Sequence, residues 1–260
     1  MEVVQSRYGQ LIASRNDIYV GRGLFEYGEF SEGEVEFFRQ VIKPEHVVCD
    51  VGANIGAHTL AFARLAKHVH AFEPQPLLYS ALCGMVALNE LKNVTAIHAG
   101  CAAREGTMTC PDLAFGILNN FGAGTLEPYS GQRPIRVTRL VTPCDFLKID
   151  VEGMEIQVLK GAADMIRARK PILYVEADRR EKFEALMEYI RHLGYHPYWH
   201  TPALYREDNF FGKKGDMWGG VHSLNVACFP VEVPNLIPAT SFPQFAHKEW
   251  IPQLKEMSLA

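Results

Sequence analysis

The run His46-Val47-Val48-Cys49-Asp50-Val51-Gly52-Ala53-Asn54-Ile55-Gly56 decides the fold. Its first five residues make a short, nearly all-apolar strand, a glycine-rich turn follows, and the pattern then turns helical from about Ala57 to His68. A strand this apolar is covered on both faces, which argues for a parallel sheet.

Working outward, the same alternation recurs. Upstream, Ser31-Glu32-Gly33-Glu34 reads as a capping box before a helix with Val35, Phe38, Val41 and Ile42 on one face, stopped by Pro44. Downstream come strands at Val69 to Glu73, Val94 to His98, Phe146 to Asp150 and Pro171 to Glu176. Between them lie a helix opened by Pro76, a helix from Met154 to Arg169, and one from Glu181 to Leu193 closed by Gly194. Residues 103–142 read as a hairpin insertion around a Gly/Asn-rich loop, Gly116 to Gly124. Tyr195 to His200 and Leu224 to Phe229 have no helix between them and can pair antiparallel.

The expected architecture is therefore α/β: a doubly wound, Rossmann-like sheet, mostly parallel, with an antiparallel terminal strand. The expected organisation is an N-terminal segment and cap helix over 1–43, a main domain over 44–230 with the insertion near 103–142, and a Pro-rich tail over 231–260. Such sheets bind ligands at the carboxyl ends of their strands. Those ends are Asp50, Glu73, Gly100, Asp150 and Glu176, four of them acidic.

Gly52, Asn54 and Gly56 are small residues in a strand–turn–helix corner, where backbone N–H groups can approach a ligand. Glu73 follows Asp50 by 23 residues, near the ~20 of a nucleoside-binding βαβ unit whose acid accepts ribose hydroxyls. A nicotinamide dinucleotide needs G-x-G-x-x-G for its pyrophosphate. Asn54 and Ala57 break that pattern, and Asp50 would repel the phosphates. The turn suits a cationic nucleoside without phosphate, S-adenosylmethionine, with Asp50, Gly52, Ala53, Asn54, Gly56, Glu73, Pro74 and Asp150 around it. The plainer readings are a tight turn, a helix N-cap at Asp50 and a solvated Glu73. A nicotinamide oxidoreductase and a non-catalytic binding domain are the rival functions.

Val48 to Gly56, Ala71-Phe72-Glu73-Pro74, and Phe146 to Ala162 together resemble the FkbM family of methyltransferases. The stretch from Lys148 to Gly161, K-I-D-V-E-G-x-E-x-x-V-L-x-G, is the most specific part. The resemblance runs from about Gly21 to Pro230 and includes Tyr27-Gly28-Glu29-Phe30 and Asn225. It implies a class I methyltransferase fold and methyl transfer to oxygen, often on sugars, polyketides or other small-molecule hydroxyls. The short connection from Leu140 to Phe146 and the aromatic/Gly loop from Arg206 to Gly220 depart from the family pattern. Both fall where an acceptor is expected.

Methylating an alcohol needs a base or a metal to take up or weaken the hold on its proton. Asp150, Glu176 and His222 are the candidates for the base, and Asp150 with Glu176 the candidates for a Mg2+ site. Strand alternation sends Asp150 and Glu152 in similar directions, which makes Glu152 a substrate candidate. Glu155 and Glu152 also suit the start of the following helix. Asn120, in a loop with Asn119, Gly122 and Gly124 that can close over the site, joins the substrate candidates with Trp218 and Asn225. The aromatics Tyr198, Trp199, Tyr205, Phe210, Phe211 and Trp218 line an acceptor pocket or cover the sheet end.

The bulk numbers narrow the classes. With 48% hydrophobic and 22% charged residues and a net charge of −4, the chain is globular and has no concentrated basic surface for nucleic acid. Six cysteines without a C-x-x-C pair read as free thiols in a reducing compartment. No apolar signal core or ~20-residue apolar span occurs. The expectation is a cytoplasmic enzyme with a small-molecule or sugar acceptor and no membrane partner.

Overall fold

The computed structural model describes residues 1–110, 116–122 and 133–231. Strand β1 (Glu2–Ser6) and β2 (Gly9–Ala13) form an antiparallel hairpin, and helix α1 (Val20–Tyr27) follows. Helix α2 (Glu32–Val41) leads into β3 (Val47–Val51), α3 (Ala57–Leu65), β4 (His68–Phe72), α4 (Pro76–Leu88) and β5 (Val94–Ile97). Strand β6 (Gly100–Cys101) follows, and the 103–142 stretch supplies β7 (Gly106–Cys110) and β8 (Arg133–Thr138). The chain then returns through β9 (Phe146–Ile149), α5 (Glu155–Arg169), β10 (Ile172–Glu176), α6 (Arg180–His192), β11 (Tyr195–His200) and β12 (Asn225–Pro230).

Seven strands make the central sheet in the order β11, β12, β10, β9, β3, β4, β5. Pairings from β10 through β5 are parallel, and β12 runs antiparallel to both neighbours. The expected antiparallel strand is present and pairs with β11 as expected, and it inserts between β10 and β11. Strand alternation divides the core. Cys49, Val51, Leu147, Ile149, Leu173 and Val175 meet α5 and α6 on one face. Val48, Phe146, Ile172 and Tyr174 meet α2 and α3 on the other. Burial on both faces is what makes the short strands read as continuous apolar runs.

The N-terminal hairpin and α1 were not anticipated from sequence. The hairpin packs on α4, where Ile12 occupies the space beside Gly84. In the insertion, β7 and β8 form the expected hairpin, and β6 adds a third strand parallel to β8. Residues 116–122 return to the N-terminal segment, where Asn119 exchanges backbone hydrogen bonds with Asn16 and Ile18. Gly124 and, beyond Val231, the expected tail lie outside the described residues. Among the described residues no helix is long and apolar enough to cross a membrane.

Candidate active site

Short β-to-α connections at the carboxyl ends of β3, β4, β9 and β10, with the segment entering β12, enclose a cavity of about 630 Å3. That volume suits a nucleoside with a small second ligand. One half is lined by Val51 to Asn54, Phe72 to Gln75, Leu78, Gly100, Cys101 and Phe121, and the other by Asp150, Glu152, Glu176, Asp178, His222 and Asn225.

The first half is a backbone cradle. Gly52 has φ +83°, and a Cβ there would stand 1.8 Å from the Asp150 carbonyl oxygen, so only glycine lets β3 and β9 approach this closely. Glu73 holds the turn from the next strand: its Oε2 accepts the Asn54 N–H at 2.8 Å and its Oε1 the Gln75 N–H at 2.7 Å. Burial pushes the Glu73 carboxyl up to about 7, against the pull of those two amides. Gln75 is buried, and its Nε2 has no hydrogen-bond partner.

The second half is crowded with acids. Carboxylate oxygens of Glu152, Glu176 and Asp178 lie within 4.8 Å of one another. Burial and the neighbouring acids Asp150, Asp178 and Glu152 hold Glu176 well above the usual carboxylate range, and its Oε2 is buried without a partner. Glu152 is ion-paired with Arg179, yet burial and Asp150 still push it up to about 7. His222 Nδ1 lies 2.7 Å from the Thr201 carbonyl oxygen. A carbonyl only accepts, so Nδ1 carries the proton and Nε2 is left as a proton acceptor.

A polar floor joins the halves. Asp50, Lys148 and Tyr174 are register neighbours across β3, β9 and β10. Lys148 is 3% exposed, with Nζ 3.0 Å from Asp150 Oδ2 and 3.6 Å from Asp50 Oδ1. Burial opposes its charge, but Asp150, Asp50 and Glu34 outweigh that and hold the ammonium above its ordinary range. Above this row, Glu34 from α2 receives the Ser31 and Ser223 hydroxyls on Oε1 at 2.7 and 2.6 Å. His58 from α3 is buried, and burial together with Lys148 pushes it down to about 4.

Of the residues expected from sequence, Gly52, Ala53, Asn54, Glu73, Pro74, Asn120, Asp150, Glu152, Glu176, His222 and Asn225 line the cavity. Three do not. Asp50 is fully buried beneath the turn, with its Oδ2 taking the Thr59 hydroxyl at 2.6 Å. Gly56 (φ +93°) instead lets α3 pack on Met85 and Leu82 of α4. Trp218 donates Nε1–H to the Ile18 carbonyl and packs on Tyr27. The aromatic stretch follows it: Phe210 and Phe211 close on Gly28, and Tyr205 packs on Tyr27. Of the two carboxylates expected from sequence as metal candidates, Asp150 accepts a hydrogen bond from Lys148, and Glu176 clusters with Glu152 and Asp178.

Sequence reading missed Glu34, His58, Lys148 and Ser223. The sequence reads Glu34 as part of a capping box, but the Ser31 hydroxyl bonds the Glu34 carboxylate and no helix amide. For Lys148 a signal existed: a lone cation inside an otherwise apolar central strand requires a buried counter-charge.

Comparison with known proteins gives a consistent result. The methyltransferase FkbM domain matches residues 50–197. The chain is 26% identical over 216 residues to the methyltransferase sdnD of Sordaria araneosa, covering 62% of this chain and 83% of that protein. It is 28% identical over 144 residues to the hexuronic acid methyltransferase AglP of Haloferax volcanii, covering 52% of this chain but only 59% of the relative. The solved precorrin-6y C5,15-methyltransferase of Geobacter metallireducens GS-15 superposes with a TM-score of 0.50 at 12% identity, over 84% of this chain and 94% of that one. This last likeness is one of fold: the sheet is that of class I methyltransferases.

Proposed function

The chain belongs to the FkbM family of methyltransferases, and from that premise we propose that it transfers the methyl group of S-adenosylmethionine to a hydroxyl oxygen of a small molecule or sugar. The observation that carries this reading is one cavity with two unlike halves, a glycine cradle clamped by Glu73 and a set of proton acceptors opposite it.

The donor fits the cradle. Gly52, Ala53 and Asn54 present backbone beside the Glu73 carboxylate, and Pro74 continues the wall. Gln75 Nε2 offers a buried, unpartnered donor among the apolar groups Phe72, Leu78 and Phe121. The acids on the rim favour a cation and disfavour a pyrophosphate. When bound, the donor supplies a sulfonium-activated methyl group.

The protein's own residues then orient the acceptor and take its proton. His222 is the base in this reading, because the Thr201 carbonyl fixes the tautomer that leaves Nε2 able to accept. Asp150, Glu152 and Glu176 with Asn225 position the acceptor, and water is excluded by Phe30, Leu204 and Leu224. Asn120 sits at the mouth, its Oδ1 taking the Gly122 N–H at 3.0 Å. An acid-lined cavity suits a neutral small acceptor better than a polyphosphate strand.

Calorimetry with S-adenosylmethionine and S-adenosylhomocysteine tests the cofactor, and methyl turnover against pooled hydroxylated metabolites tests the reaction. Repeating turnover with a chelator decides whether Mg2+ at Glu152, Glu176 and Asp178 takes part. Heat without turnover on any hydroxyl would favour a binding domain.

A further inference from the structure

Glu34 and His58 line the cavity from α2 and α3, and neither is used in the reaction outlined above. They are 4% and 7% exposed. His58 Nε2 stands 3.8 Å from Glu34 Oε2, beyond hydrogen-bond reach, and this buried nitrogen has no partner. Leaving such a nitrogen unbonded is costly, so the gap points to a ligand atom.

Two ordinary hydrogen bonds of about 2.8 Å each can span that gap through one oxygen. The groups around it select which oxygen. A carboxylate or phosphate would face Glu34. An ammonium would face Lys148, whose charge acts on both Glu34 and His58. A hydroxyl is neutral and, with the His58 proton on Nε2, accepts from that nitrogen and donates to Oε2. Ser31 and Ser223 fix the carboxylate by holding Oε1, and Ser223 is the chain neighbour of His222. The residue that fixes the recess thus directly follows the proposed base in the chain.

We infer that Glu34 and His58 form a recognition recess for a second hydroxyl of the acceptor, which makes the acceptor a neutral polyhydroxylated molecule. The inference rests on the methyl-transfer reading only in placing the recess beside the acceptor.

The test uses the full chain labelled with [13C]histidine, with and without S-adenosylhomocysteine. Methyl α-D-glucopyranoside, myo-inositol and xylitol are the probes, and the His58 ring resonance is identified by its loss in H58Q. We expect a saturable shift of that resonance with at least one polyol. E34Q should weaken the polyol about tenfold or more, with the calorimetric affinity for S-adenosylhomocysteine unchanged. E34D, which withdraws the carboxylate but keeps its charge, should give the same loss and serves if E34Q does not fold. A resonance unmoved by every polyol, or a shift that both variants leave intact, overturns the recess. A shift retained while S-adenosylhomocysteine gives no heat sinks the cofactor assignment and keeps the recess.

Discussion

Lys148 Nζ stands 3.0 Å from the Asp150 carboxylate while its own side chain is 3% exposed. The first and third residues of the Lys-Ile-Asp run therefore form an internal ion pair at the cavity wall, with Asp50 below it at 3.6 Å. Removing the cation leaves Asp50 buried and uncompensated. K148M should lose about 3–5 kcal/mol of stability, read as a lower urea midpoint. D50N in the K148M background should recover part of that loss, and a further drop would rule out the pairing.

Glu73 has two tasks, to clamp the turn through the Asn54 and Gln75 amides and, in the proposed function, to accept ribose hydroxyls. E73A should weaken S-adenosylhomocysteine about tenfold to a hundredfold by calorimetry. Unchanged affinity would remove the ribose assignment.

His222 should separate chemistry from binding. H222Q is expected to lower kcat about 10²- to 10⁴-fold while cofactor affinity stays at the wild-type level. A variant with full turnover would move the base to Glu176 or Asp150.

Gly52 is intolerant on two counts, its φ of +83° and the 1.8 Å approach of the Asp150 carbonyl to any Cβ. G52A should cost about 2 kcal/mol or more and abolish the calorimetric signal with cofactor. A normal melting temperature would contradict the close approach of β3 to β9.

His58 makes stability depend on pH. Burial lowers its pKa from 6.5 to about 4, so between those values the unfolded chain binds a proton that the folded one does not. Stability from this group is present above pH 6.5 and lost as pH falls towards 4, on the order of 3 kcal/mol in all. Melting temperatures from pH 7 to 4 should fall more steeply for the wild type than for H58Q. Parallel curves would place the imidazole in water.

The sheet was legible because its strands are short apolar runs ended by acids, and alternation along them follows from burial on both faces. The cradle was legible because Gly52 and Glu73 are local to one βαβ unit. What escaped is held together across the chain. Glu34 joins Ser223 from 189 positions away, and Trp218 bonds the Ile18 carbonyl just before α1 and packs on Tyr27 within it. Asp50 shows a subtler limit: an acid at a strand end reads the same whether it faces a ligand or, as here, a lysine one strand away.

The insertion of β12 between β10 and β11 sets an order on assembly. A nascent chain that has reached residue 200 carries both cradle strands and the six described helices, but β10 has an open side and β11 has no sheet to join. Leu173, Tyr174 and Val175 are then an unpaired, sticky ladder. Only when Asn225–Pro230 slots in does the ladder close, and His222 and Ser223 arrive with it. Burial of the aggregation-prone edge and completion of that wall of the cavity are thus one event, driven by β12.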